Sequence, residues 1–108
     1  MSERELKVKV RKEFKDPPFY TFHYSAYMGE VGIPDRIGFC EVKGDVPIPF
    51  MIELKSKHGE LRPAQRAKKF LFERMGLPVL SPCHSIEQAR EFKEKLLKLK
   101  EQKEKPKR

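Results

Sequence analysis

Asp35, Glu53 and Lys55 are the residues of this chain whose types and spacing could do chemistry. Asp35 closes the segment Gly32-Ile33-Pro34-Asp35, and Glu53 and Lys55 stand in the run Phe50-Met51-Ile52-Glu53-Leu54-Lys55. Strand alternation puts Phe50, Ile52 and Leu54 on one side and Met51, Glu53 and Lys55 on the other. Two carboxylates are hard oxygen ligands suited to Mg²⁺ or Mn²⁺. The backbone carbonyl of Leu54 is a further candidate ligand, and water and a phosphate oxygen would complete the shell. A metal held there lowers the pKa of its water and neutralises charge developing on the phosphate. Lys55 would orient that water or stabilise the transition state. The two carboxylates also repel each other, and a shared cation relieves that repulsion. The expected chemistry is metal-dependent phosphodiester cleavage.

The Glu-x-Lys spacing is weak evidence by itself. It occurs six times, starting at Glu5, Glu13, Glu41, Glu53, Glu91 and Glu101, so context has to choose among the copies. The copies at Glu91 and Glu101 fall on a helix or tail, where i and i+2 point apart. Glu41 and Lys43 close the strand that Asp35 begins, too far along it to share a metal with Asp35. Glu53 and Lys55 alone project together from an otherwise apolar strand. The bland alternative is a solvated sheet face with a stabilising ion pair.

The elements that must position these residues follow from periodicity and punctuation. Leu6, Val10 and Phe14 recur at helical spacing, although Leu6, Val8 and Val10 also alternate; the Glu, Lys and Arg between them favour a helix over residues 3–15. Asp16-Pro17-Pro18 ends it. Residues 19–24 read as an aromatic strand, with Tyr20 and Phe22 inward or the reverse. Residues 25–32 read as a loop, and residues 36–42 as a strand. Lys43-Gly44-Asp45 signals a turn, and Pro47 and Pro49 argue against a central strand there. Residues 50–55 are a strand and residues 57–60 a loop. Pro63 opens a helix that Gly76 closes, with Ala64, Ala67, Phe70, Leu71 and Met75 as its apolar stripe. Residues 78–81 form a short strand, which leaves Cys83 in a turn. Ser85 and Gln88 have capping-box spacing for a last helix that buries Ile86, Ala89, Phe92, Leu96 and Leu99. The order α-β-β-β-α-β-α points to an α/β fold, a mixed sheet of about four strands flanked by helices.

Length and composition bound the rest. At 108 residues the chain is one domain: residues 1–99 form it, and residues 100–108 are a basic, disordered tail. The tail's five basic and two acidic residues account for +3 of the net charge of +8. The surplus favours polyanionic partners without proving nucleic-acid binding. No apolar run is long enough to span a membrane, and the charged N-terminus lacks a signal sequence, so a cytoplasmic setting is expected. His23, His58 and His84 have no zinc spacing, and Cys40 and Cys83 read as reduced packing residues.

Three segments together resemble a known family. Gly32-Ile33-Pro34-Asp35-Arg36-Ile37-Gly38-Phe39, then Phe50-Met51-Ile52-Glu53-Leu54-Lys55, then Gly59-Glu60-Leu61-Arg62-Pro63-Ala64-Gln65 look like the VRR-NUC family of the PD-(D/E)xK nuclease superfamily. The resemblance implies a restriction-endonuclease-like core and Mg²⁺-dependent cleavage of DNA, with Mn²⁺ as a substitute. It makes Asp35 and Glu53 metal ligands, Lys55 the catalytic lysine and Gln65 a helix glutamine beside the site. It also implies a glutamate on the first helix facing the metal. Glu3 and Glu5 compete for that place, and Glu3 fits better because Leu6, three residues on, sits on the core side. Arg36, Lys57, Arg62, Arg66 and Lys69 are the candidate DNA contacts. The implied substrate is branched, flap or four-way-junction DNA, cut by a homodimer, with room for an unidentified protein partner. The aromatics Phe19, Tyr20, Phe22, Tyr24 and Tyr27 read as core or dimer interface before base-stacking groups. The rival is a non-catalytic nucleic-acid-binding module with a degenerate site; the intact trio Asp35, Glu53 and Lys55 argues against it.

Overall fold

The computed structural model describes residues 2–25 and 29–106. Its elements run α1 (Glu3–Glu13), β1 (Phe19–His23), β2 (Arg36–Cys40), β3 (Ile48–Leu54), α2 (Pro63–Arg74), β4 (Val79–Cys83) and α3 (Ile86–Glu104). This is the expected order, and the four strands form one mixed sheet in the order β1-β2-β3-β4. β1 and β2, and β2 and β3, pair antiparallel; β3 and β4 pair parallel. No helix among the described residues is long and apolar enough to cross a membrane.

α1 and α3 pack together and cover one face of the sheet, which we call inner. Leu6 and Val10 from α1 meet Phe50, Ile52 and Leu54 from β3 and Ala89, Phe92 and Leu96 from α3 in a single core. Phe14, Phe19, Phe50 and Phe92 stack through it with centroid separations of 5.1 to 5.9 Å between successive rings. Phe19 is the inward residue of β1, so Tyr20 and Phe22 point outward, the second of the two alternations the sequence left open. Gly38 is obligatory here: a Cβ would stand 2.3 Å from the Phe50 ring.

Several expectations need correcting. Pro49 lies inside a central strand, opposite Phe39. β4 joins β3 only from Met51, whose N–H reaches Pro78 O at 3.1 Å. The nitrogen of Pro49, two residues earlier on the same edge, points where β4 has not begun, so the missing donor costs no ladder bond. Cys83 closes β4 instead of sitting in a turn. Leu99 is 37% exposed, beyond the last core turn of α3. That helix continues to Glu104, so residues 100–104 are helical where a disordered tail was expected. Glu104 pairs with Lys100 and accepts the Lys43 N–H at 2.7 Å, tying the helix end to the β2–β3 turn.

α2 departs furthest from expectation. It has no fully buried residue; Phe70 is 68% and Met75 66% exposed. Its apolar stripe is therefore not core. The helix touches β4, and its first turn abuts the loop before β2, where Gly32 has φ 89° and a Cβ would meet Ala64 O at 2.5 Å.

Candidate active site

Asp35 precedes β2 and Glu53 ends the outer side of β3, two adjacent strands. Leu54 N–H points to Asp35 Oδ1 at 3.4 Å, and the Asp35 N–H donates in return to the Glu53 carboxylate. The two acids face one cleft of about 200 Å³, lined also by Tyr24, Val31, Gly32, Ile33, Arg62, Ala64 and Gln65. Opposite Glu53, the β3–β4 register slips: Ile52 pairs with Leu80, but Leu54 pairs with Cys83. β4 therefore carries an extra residue at Ser81-Pro82, a bulge of the kind that re-aims side chains beside active sites.

Glu53 is 5% exposed and is the one buried carboxylate among the described residues. Burial raises its pKa to about 7, the neighbouring Asp35 charge adds to the rise, and Lys55 opposes it. Asp35 is also raised, chiefly by burial, against a lowering pull from the Leu54 N–H, Lys7 and His23. Two desolvated, mutually repelling carboxylates on one cleft are an arrangement a cation would stabilise. The donor chemistry fits a hard divalent ion: two carboxylates and the Leu54 carbonyl, with remaining positions for water and phosphate. No group of three or more Asp, Glu, His or Cys suited to a metal occurs among the described residues. That count does not weigh against Mg²⁺, which commonly uses one or two carboxylates plus substrate phosphates.

The other expected site residues fall in different places. Glu3, half-buried, acts electrostatically on both Asp35 and Glu53. Glu5 is exposed and engaged with Ser2 at the start of α1. Gln65 lines the cleft, and its Oε1 accepts the Arg62 N–H at 2.8 Å, which leaves its amide NH₂ to donate. Lys55 sits one residue beyond β3, with its N–H on Cys83 O at 3.0 Å. Arg62 shares the carboxylate cleft; Arg66 is exposed and Lys69 half-buried on α2. Lys57 lies apart, in a hollow with Lys9 and His84 at the start of α3. Arg36 lines a separate cleft with α1.

The other Glu-x-Lys copies have structural employment or none. Glu13 pairs with Arg90 and Lys93, and Glu41 is exposed beyond β2. Sequence reasoning placed Tyr24 only among the aromatics of a core or dimer interface. Its hydroxyl accepts the Glu30 N–H at 2.7 Å and holds the loop wall of the cleft, and only the turn chemistry of Gly29 and Gly32 hinted at so tight a loop. Lys68 pairs with Glu30 and fastens that loop to α2. Tyr27 lies outside the described residues.

No protein-family model and no curated protein matches the chain. Solved structures do. One described as a VRR_NUC domain superposes with a TM-score of 0.70 at 19% identity, covering 87% of this chain and 97% of its own. Another, a VRR_NUC domain protein, gives 0.69 at 21% identity, covering 92% and 90%. The chain thus has the fold of the VRR_NUC domain, as the motifs of residues 32–65 led one to expect.

Proposed function

We propose that this chain is a VRR-NUC-type, divalent-metal-dependent endonuclease that hydrolyses phosphodiester bonds in DNA. The observation that carries the reading is Glu53: a buried carboxylate beside Asp35, opening on a cleft, within a VRR_NUC fold. Burying a carboxylate next to another costs stability, and such a cost persists where function requires it.

Asp35, Glu53 and the Leu54 carbonyl would hold Mg²⁺ or Mn²⁺, with Glu3 behind them. The ion, when bound, supplies Lewis acidity: an acidified water and neutralisation of phosphate charge. The chain's own groups do the rest. Lys55 favours the ionised form of Glu53 and carries the positive charge that steadies the attacking water or the phosphorane oxygens. The free amide of Gln65 can donate to a phosphate oxygen. Arg62, Arg66, Lys69, Lys57 and Arg36 would contact phosphates along the strand. Branched, flap or four-way-junction DNA is the proposed substrate class.

A homodimer belongs to the same reading. The outer side of β1–β2 presents Tyr20 (66% exposed), Phe22 and, by register, Phe39 and Ile37. None of these is charged, on a chain of net charge +8. A second copy can cover such a face without opposing like charges, and two sites would then suit paired incisions. A monomer in sedimentation at micromolar concentration, both free and on DNA, would remove this part.

The test of the activity is cleavage of labelled linear, flap and four-way-junction DNA with Mg²⁺, Mn²⁺ or EDTA. Metal-dependent cutting that disappears in Glu53→Ala and Lys55→Ala, with folding and DNA binding kept, supports the nuclease. DNA binding without cutting on any substrate, in the parent protein, replaces it with the non-catalytic binding module.

A further inference from the structure

We infer that a second phosphate-binding subsite, formed by Lys7, Arg11, His23 and Arg36, flanks the carboxylate cleft on its α1 side; it rests on the DNA reading above. These four side chains and Val8 line a cleft of about 300 Å³. Its polar side chains are the cations Lys7, Arg11 and Arg36 and the imidazole of His23, and no acid lines it. The convergence is built from two directions. Lys7 and Arg11 are four apart on α1 and share one side of the helix. His23 and Arg36 are direct partners across β1 and β2.

Four basic residues elsewhere pair with acids: Lys68 with Glu30, Arg90 and Lys93 with Glu13, and Lys100 with Glu104. Among the described residues none of Lys7, Arg11, His23 and Arg36 has an ion-pair partner within 4.0 Å. Arg36 donates one N–H to Thr21 Oγ1 at 2.7 Å, which orients its guanidinium and leaves other donors for a ligand. A phosphate would match the planar donor fork. The larger hollow between α1 and α3 lacks this character, because Glu13 and Glu87 sit among its lysines.

Position gives the subsite its meaning. Arg36 follows Asp35 directly, and Lys7 and His23 both act electrostatically on Asp35. A strand whose reacting phosphate meets Asp35 and Glu53 would rest a neighbouring phosphate here. The ligand chemistry is a phosphate oxyanion, either an internal diester or a terminal monoester.

The experiment is fluorescence-anisotropy binding of labelled single strands in EDTA, across a salt series, so that no cleavage is needed. Arg11→Glu and Lys7→Ala are compared with Lys98→Glu, an exposed lysine on α3 whose change carries the same charge difference as the first. Far-ultraviolet circular dichroism checks the fold. We expect Arg11→Glu to weaken binding about tenfold, and each α1 variant to flatten the log K against log salt slope by roughly 0.7 for a single strand. Lys98→Glu should change little. Strands with a 5′-phosphate or a 5′-hydroxyl separate the sources: a loss confined to the phosphorylated strand assigns the terminal monoester, and equal losses assign the internal diester. Parent-like affinity and slope in both α1 variants, or an equal loss in Lys98→Glu, would overturn the subsite. Because metal and cutting play no part, a failure of the nuclease proposal leaves this result readable.

Discussion

On the inner face of the sheet, α1 and α3 close over Phe50, Ile52 and Leu54 until no water reaches them. On the outer face, α2 buries nothing fully, Tyr20 and Phe70 stand in solvent, and Glu53, the one buried charged residue among the described residues, lies at the end of β3. A single strand, β3, serves both: its even-numbered residues are core and its odd-numbered ones lead to the cleft. The difference teaches where stability and chemistry are separated. The buried core gathers on the inner face, which leaves the outer face free to keep an unfavourable pair of carboxylates in place.

The largest expected effect is on the outer face. Glu53→Gln keeps the shape and an acceptor for the Asp35 N–H but removes the charge. Cleavage should fall by about three orders of magnitude or more, while the metal-free melting temperature holds or rises. A melting temperature that drops sharply would make Glu53 a structural residue and erase the separation.

On the inner face, the reverse is expected. Phe50→Ala should cost about 3–5 kcal/mol in denaturant unfolding, since Phe50 is fully buried and stacks on Phe14 and Phe92. Little loss there would mean the core can collapse around the gap.

pH sharpens the contrast without mutation. Glu53 has a folded pKa of about 7 against an ordinary 4.5, so between those values the folded state holds a proton that the unfolded chain has lost. Stability in EDTA should therefore be fullest below about 4.5 and fall as pH rises through 7, by up to about 3 kcal/mol. Glu53→Gln should flatten the profile. Mg²⁺ should raise the melting temperature more at pH 8 than at pH 6, because binding must displace that proton at the lower pH. A metal effect independent of pH would count against Glu53 as a ligand.

Gly32→Ala tests the outer wall. Its φ of 89° and the 2.5 Å approach to Ala64 O leave no room for a methyl group. About 1–2 kcal/mol of stability should be lost, with a larger fall in cleavage than the stability loss explains. The smallest effect is expected at Phe70, 68% exposed: Phe70→Ala should stay within about 0.5 kcal/mol.

Much of this was legible in the chain. The alternation Phe50, Ile52, Leu54 against Met51, Glu53, Lys55 placed β3 and its two faces, because side chains on a strand must alternate. Pro63 and Gly76 bounded α2, and Ser85 capped α3, because helix ends need particular φ angles and acceptors. These are local constraints, satisfied by neighbours in sequence.

What was not legible depended on partners far along the chain. Pro49 is tolerated in a central strand only because β4 starts two residues later. Residues 100–104 stay helical where Glu104 meets Lys43, and the stripe on α2 stays exposed because no third layer covers it. Of six identical Glu-x-Lys spacings, context favoured the one at Glu53, but only the folded sheet brings it against Asp35 and strips it of water. Local sequence determined which residues could carry the chemistry. Tertiary structure decided their electrostatics, because desolvation depends on every atom that surrounds a charge.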